Sequence, residues 1–137
     1  MMKTASWFTK LPADHIMVGI SRGAPRRMPA GYRTFRQLAP GPWFKSCATP
    51  AEYCQRYYGE ILAHLDPLQV AEQIAAKAEG RIPVLVCFEA PNSGKWCHRS
   101  LAAEWLARAL GRVVPEFGYE HLPQDQHPLL PSSVLLG

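Results

Sequence analysis

Apolar positions along the chain follow two patterns. Residues 15–21, His-Ile-Met-Val-Gly-Ile-Ser, form a short apolar run with polar flanks, which predicts the first core strand. Residues 82–88, Ile-Pro-Val-Leu-Val-Cys-Phe, are apolar without interruption. Such a run suits a central strand covered on both faces, as in parallel sheets. Elsewhere the period is helical. Tyr53, Tyr57, Ile61 and Leu65 recur every four residues, widened by Cys54, Tyr58 and Leu62, and predict a helix from about 50 to 65. Thr49-Pro50-Ala51-Glu52 opens it with a capping threonine, a proline at the first helical position and a glutamate three after the cap. Asp66-Pro67 repeats that start, and Leu68, Ala71, Ile74, Ala75 and Ala78 share one side of a second helix that Gly80 closes. A third helix over 98–110 carries Leu101, Trp105, Leu106 and Ala109 and stops at Gly111. Residues 113–117 read as a last strand, and Pro115 places it at an edge.

The order strand, helices, strand, helix, strand predicts a small single α/β domain: a mostly parallel sheet flanked by helices, with Rossmann-like layering. Residues 28–48 are rich in Pro and Gly and have no period. They carry Tyr32, Phe35, Trp43 and Phe44, and so read as a packed irregular excursion. The domain is expected over 1–120, followed by a Pro-rich tail, 121–137, that is peripheral or partly disordered. No internal repeat is present.

Composition agrees with one domain. At 137 residues and 47% hydrophobic, the chain can bury a core but not two. Lys and Arg outnumber Asp and Glu by 15 to 11, giving +4. The excess is local: Arg22, Arg26, Arg27, Arg33 and Arg36 lie close together with no acid among them, which fits an anionic partner. The N-terminus lacks the apolar stretch of a secretory leader, and no run has the length of a membrane span. The expected setting is therefore cytoplasmic, with no membrane partner and with the four cysteines, none in a Cys-x-x-Cys pair, reduced.

The chemistry concentrates after the second strand. Glu89 ends it, the loop Ala90-Pro-Asn-Ser-Gly-Lys-Trp96 follows, and Cys97-His98-Arg99-Ser100 opens the third helix. Unpaired N–H groups and the helix dipole favour an anion there and lower a thiol's pKa. The segment is thus built as an anion site, a reactive-thiol site, or both. Cys97 is the candidate nucleophile or thiolate, with a buried, inert thiol as its alternative, and His98 is the candidate acid/base or anion donor, with a helix-start histidine bonded to a backbone carbonyl as its alternative. Arg99 is a candidate anion clamp, with a structural pair to Glu89 or Glu104 as its alternative. Ser100 reads more simply as a capping or first-turn hydroxyl than as a nucleophile, and is grouped with Arg99 and Arg22 as an anion-binding candidate. Glu89 could orient His98, pair with Arg99 or act as a base. Cys87 and Arg26 are secondary candidates. Ligands of open α/β sheets bind beyond the carboxyl ends of the strands, which predicts one pocket joining the loop after residue 21 to 89–100. A metal site from Cys87, Cys97 and His98 is conceivable, but zinc usually takes four ligands, often in tight pairs, and without such pairs no metal is expected. A Cys87–Cys97 disulfide depends on geometry that sequence does not supply. Arg follows Cys97 by two positions, not six, which excludes a phosphatase Cys-x5-Arg loop. P-loop and dinucleotide fingerprints are absent, and no cofactor is expected.

Val84-Leu-Val-Cys87-Phe-Glu89 followed by Cys97-His98-Arg99-Ser100 resembles the mainly bacterial family known as domain of unknown function 488. Gly19-Ile-Ser-Arg22-Gly-Ala-Pro25, Leu38-Ala-Pro40, Glu52-Tyr53 with Tyr57, and Glu116 are similar to further family positions, so the resemblance covers roughly residues 15 to 120. It implies a compact α/β fold and a site at Cys87, Glu89, Cys97, His98 and Arg99, with Arg22 facing it. It supplies no reaction. The loop from Ala90 to Trp96 looks slightly extended, which would change the pocket's depth.

Three readings stand at this point. The first is a thiol enzyme acting on an anionic substrate, a nucleotide or a nucleic-acid-derived molecule. The second is a non-catalytic module that binds a nucleotide or nucleic acid. The third is a purely structural Cys-His-Arg helix start.

Overall fold

Four parallel strands form the sheet, in a computed structural model that describes residues 1–131. They are β1 (Lys3–Ser6), β2 (His15–Gly19), β3 (Arg33–Thr34) and β4 (Ile82–Cys87), in the order β1-β4-β2-β3. The uninterrupted apolar run of β4 has the place its composition demands, between β1 and β2. Val84 lies opposite Lys3 on one side and Met17 on the other. Three helices flank the sheet: α1 (Pro50–Arg56), α2 (Pro67–Ala78) and α3 (His98–Leu110). The molecule is a small single α/β domain, and its two sheet faces are covered differently. Val18, Ile20 and Leu85 pack with Tyr53 and Tyr57, with Val70 and Ile74 of α2, and with Leu101 and Leu106 of α3. Ala5, Val84 and Val86 pack on the Trp7 indole, with Met17, Tyr32 and Phe117 partly covering them.

The helix starts form as their residues dictate. Thr49 Oγ1 accepts from Glu52 N–H at 3.1 Å, and Glu52 returns to accept from Ala48 N–H at 2.8 Å. Asp66 caps α2 through Leu68 N–H at 3.0 Å. The C-cap of α2 is Glu79, in the left-handed region (φ 50°), one residue before the expected Gly80, and α3 ends at Gly111 (φ 67°).

Four elements differ from the pattern, one of them β3, which pairs with β2 from inside the segment read as irregular. The helix expected to about 65 changes pitch after Arg56: Tyr57–Ile61 form a π-turn and Leu62–His64 a 3-10 turn. The wider turn keeps both Tyr57 and Leu62 buried, and Tyr57 donates through its hydroxyl to Leu38 O at 2.7 Å. The strand expected over 113–117 reduces to a single bridge, Glu116 to Thr4, beside β1. Strand β1 carries no apolar run and is formed by pairing with β4. Beyond Leu122 the chain packs back on the domain: His127 and Leu129 are buried. Residues 132–137, part of the expected tail, lie outside the described residues.

Trp7 fixes the end of β2. Its Nε1 donates to Ser21 Oγ at 2.9 Å, and Ser21 Oγ donates to Gly23 O at 2.7 Å. Gly19 gives the indole room, since a Cβ there would collide with the Trp7 six-membered ring. The loop carrying Arg22 therefore leaves the sheet from an anchored point.

Candidate functional site

At the carboxyl ends of β2 and β4 lies a cavity of about 560 Å³. It brings together Arg22, Cys87, Glu89, Cys97 and His98, in the place the strand-end rule predicts. Each arrives by a different route. Cys87 is the last residue of β4 and points to the helix side of the sheet. Cys97 is the N-cap of α3, with extended backbone (φ −145°, ψ 145°). Cys97 lies outside the helical dihedrals, so the separation of about 100° between neighbours on a helix does not apply to it and His98. Its Sγ lies 3.7 Å from His98 Nδ1. The sulfurs of Cys87 and Cys97 are in direct contact as a disulfide pair, with Cα atoms 7.3 Å apart. The sulfurs and a ring nitrogen of His98 all lie within 4.8 Å of one another, and the three residues are buried.

His98 is held from behind. Its Nε2 sits 2.7 Å from Ile20 O. A carbonyl only accepts, so Nε2 carries the proton and Nδ1 turns its lone pair to the sulfurs. Burial lowers the His98 pKa to about 4, with Arg99 lowering it further and the Ile20 bond opposing both. The imidazole is thus neutral at physiological pH. This is the backbone-carbonyl bond weighed as the alternative role of His98, and the carbonyl, not Glu89, orients the ring. Glu89 lies in the loop at the cavity wall, its carboxylate 3.9 Å from Lys95 Nζ.

Arg99 and Ser100 do not line the cavity. Arg99 is fully buried, and its guanidinium makes a two-point bond to Glu116, Nε–Oε1 3.0 Å and Nη2–Oε2 2.6 Å. The structural partner is therefore Glu116, not Glu89 or Glu104. Glu104 pairs on the surface with Arg108. The guanidinium also donates from Nη1 to Cys87 Sγ at 3.1 Å, so Arg99 reaches the site through that sulfur. The network extends outward. Leu129 N–H donates to His127 Nδ1 at 3.1 Å, which places the ring proton on Nε2, 2.7 Å from Thr4 Oγ1. Thr4 Oγ1 in turn donates to Glu116 Oε1 at 2.7 Å. Burial lowers the His127 pKa to about 4 as well, against the raising effect of Glu116. Ser100 Oγ lies 2.8 Å from Cys97 O and 3.0 Å from Leu129 O, so the first-turn hydroxyl reading describes it. Arg26 is exposed on the loop and is not among the residues lining the cavity.

The remaining walls escaped the sequence analysis. Phe44, Lys45, Tyr53 and Trp96 complete them. Trp96 meets Tyr53 edge-on at 4.6 Å between centroids. Arg22 donates to Pro40 O at 3.0 Å and lies 5.6 Å over the Phe44 ring, and Lys45 Nζ lies 5.4 Å from the same ring. The signals in the sequence were the aromatic content of the irregular 28–48 excursion, the family-like position of Tyr53 and the place of Trp96 at the end of the loop before α3. A second hollow, about 600 Å³, lies between the end of α3 and residues 113–130, and its Arg108 is already paired with Glu104. Among the described residues no helix is long and apolar enough to cross a membrane.

A family model described as the active DUF488-N3 subclade, DUF488-N3a, matches residues 4–110. That span runs from β1 through the last residue of α3 and contains the Cys87, Cys97, His98 cluster and the Arg99 that follows it. No curated protein and no solved structure matches the chain. With most of its length covered, the chain belongs to the DUF488 family, in the subclade described as active.

Proposed function

We propose that the protein is an enzyme that acts on an anionic substrate carrying a flat ring, a nucleotide or a nucleic-acid-derived molecule, at the cavity capped by α3. One observation carries this reading: a cysteine at a helix N-cap shares a cavity with Arg22, Lys45 and the rings of Phe44 and Trp96. Arg22 and Lys45 supply positive charge to an anionic group, and the aromatic wall supplies a stacking surface. In the reduced, metal-free protein Cys97 rests as a thiol that donates to His98 Nδ1, and the helix N-terminus favours the reactive thiolate formed when that proton leaves. His98 is neutral, so it orients the Cys97 thiol by accepting at Nδ1 and stores no proton in the resting state. Arg99 acts behind the cavity by polarising Cys87. A reducing, cytoplasmic compartment suits this chemistry.

The second reading, a non-catalytic binding module, uses the same cavity without the thiol. It draws support from the Arg22 and Lys45 charges alone, because Arg99 is committed to Glu116. Titrating the reduced protein with a nucleoside monophosphate tests both. Arg22→Ala is expected to weaken binding roughly tenfold, the usual worth of a lost charge-assisted hydrogen bond of about 1.5 kcal/mol, and added salt is expected to weaken it further. Absence of binding, or binding indifferent to Arg22 and salt, contradicts the anionic substrate. Substrate turnover that Cys97→Ser abolishes separates the enzyme from the module, for which binding persists without turnover.

A further inference from the structure

We infer that in its reduced state the protein binds a zinc ion through Cys87 Sγ, Cys97 Sγ and His98 Nδ1, with a fourth coordination position open to the cavity. The inference concerns the same cluster but does not rest on the proposed substrate.

The donor set comes first. Two thiolates and an imidazole suit zinc among the common biological metals, and three protein ligands with an open position are the pattern of catalytic zinc. The three donor atoms lie within 4.8 Å of one another. Zinc–sulfur bonds of about 2.3 Å and zinc–nitrogen bonds of about 2.0 Å in a tetrahedron require donors about 3.5–3.8 Å apart. Cys97 Sγ and His98 Nδ1 already meet this at 3.7 Å. The Cys87 and Cys97 Cα atoms, 7.3 Å apart, are wider than the usual disulfide separation of about 4.4–6.8 Å. That spacing leaves room for an ion between the two sulfurs once they are thiols.

The outer contacts are those a metal-ligating histidine and thiolate need. Nε2 of His98 gives its proton to Ile20 O, which leaves Nδ1 as the lone-pair donor and fixes the ring plane. Arg99 Nη1 donates to Cys87 Sγ, the bond that stabilises a ligating thiolate, and Glu116 holds Arg99 in place. Charge also closes. Zinc with two thiolates and a neutral imidazole is neutral, and the Arg99–Glu116 pair beside it is neutral, so no uncompensated charge is buried. Binding forms two Zn–S bonds and one Zn–N bond and releases the two thiol protons to solvent. The cavity side, with Arg22 and Lys45, is where the fourth position faces, and an anion or a water-derived hydroxide fits there.

Ligand spacing in the sequence disfavoured a metal because no tight pairs stood out; in the fold Cys97 and His98 supply two donors 3.7 Å apart and Cys87 comes from the neighbouring strand end.

The test uses the full chain, reduced with a phosphine and loaded with zinc or cobalt(II). Elemental analysis after gel filtration is expected to give about one zinc per chain. Cobalt(II) is expected to give the intense visible bands of a tetrahedral site and a thiolate-to-cobalt charge-transfer band, and added azide is expected to shift the visible bands. Cys87→Ser and His98→Ala are expected to lose the metal, while Cys54→Ser keeps it. The wild-type cobalt spectrum does not depend on whether those variants fold. A folded, reduced wild-type chain that retains no zinc and gives no thiolate-to-cobalt band overturns the site. Full occupancy with no response to azide overturns the open position. Nucleotide binding measured on the metal-free protein is read separately, so either conclusion can fail alone.

Discussion

Arg99 shows at the scale of one residue how position decides role. Its place in Cys-His-Arg-Ser suggested an anion clamp, yet the side chain turns inward, loses all exposure and spends its donors on Glu116 and Cys87. Removing one member of such a pair leaves the other charge buried without a partner. Arg99→Met is therefore expected to destabilise the fold by about 3–5 kcal/mol in urea unfolding. The double variant Arg99→Met, Glu116→Gln is expected to recover much of that loss, because no charge is then left alone. An Arg99→Met protein as stable as wild type would refute the buried pair. Sequence held no means of choosing Glu116 over Glu89 or Glu104. The choice depends on the segment after α3 returning beside β1, where Glu116 bridges to Thr4.

Among the elements, those governed by local rules were readable and those governed by partners were not. Thr49-Pro50-Ala51-Glu52 makes the reciprocal capping bonds its residues promise, and the apolar run of β4 becomes the sheet's inner strand. Strand β1 was not readable. Lys-Thr-Ala-Ser has no strand pattern of its own, and its Thr4 is buried for polar reasons, as the link between His127 and Glu116. The pitch change at Tyr57–Ile61 was equally hidden, since it answers to the Tyr57 bond to Leu38 O, a contact distant in sequence. For the site, the positions after β2 and β4 followed from the strand-end rule. The aromatic and lysine wall did not, because residues 36–45 form short 3-10 turns with no period to read.

For the molecule as a whole, the site depends on parts far apart in the chain. Ile20 orients His98, and Leu129 O takes the Cys97 N–H bond at 3.0 Å. Leu129 packs against Cys87 and Cys97 from beyond the 4–110 family match. Two buried neutral histidines, His98 and His127, belong to this assembly, and each is lowered to about 4 from an ordinary 6.5. Between those values the unfolded chain binds more protons than the native one. Stability is therefore expected to be full above about 6.5 and to fall as pH drops through the window to 4. Urea midpoints unchanged across that window would show that the two rings are not held neutral.

If Cys97 is a reactive group inside an anion-binding cavity, the alkylation rate of each cysteine at neutral pH, read by peptide mass spectrometry on the reduced, metal-free full chain, shows it directly. Burial pushes Cys54 up to about 11 and raises Cys47, so these two provide slow internal references. Cys97 is expected to react faster than both and to be slowed by a nucleoside monophosphate. A Cys97 no faster than Cys54 and indifferent to the nucleotide would contradict a reactive site, and would leave the Cys-His-Arg segment as architecture.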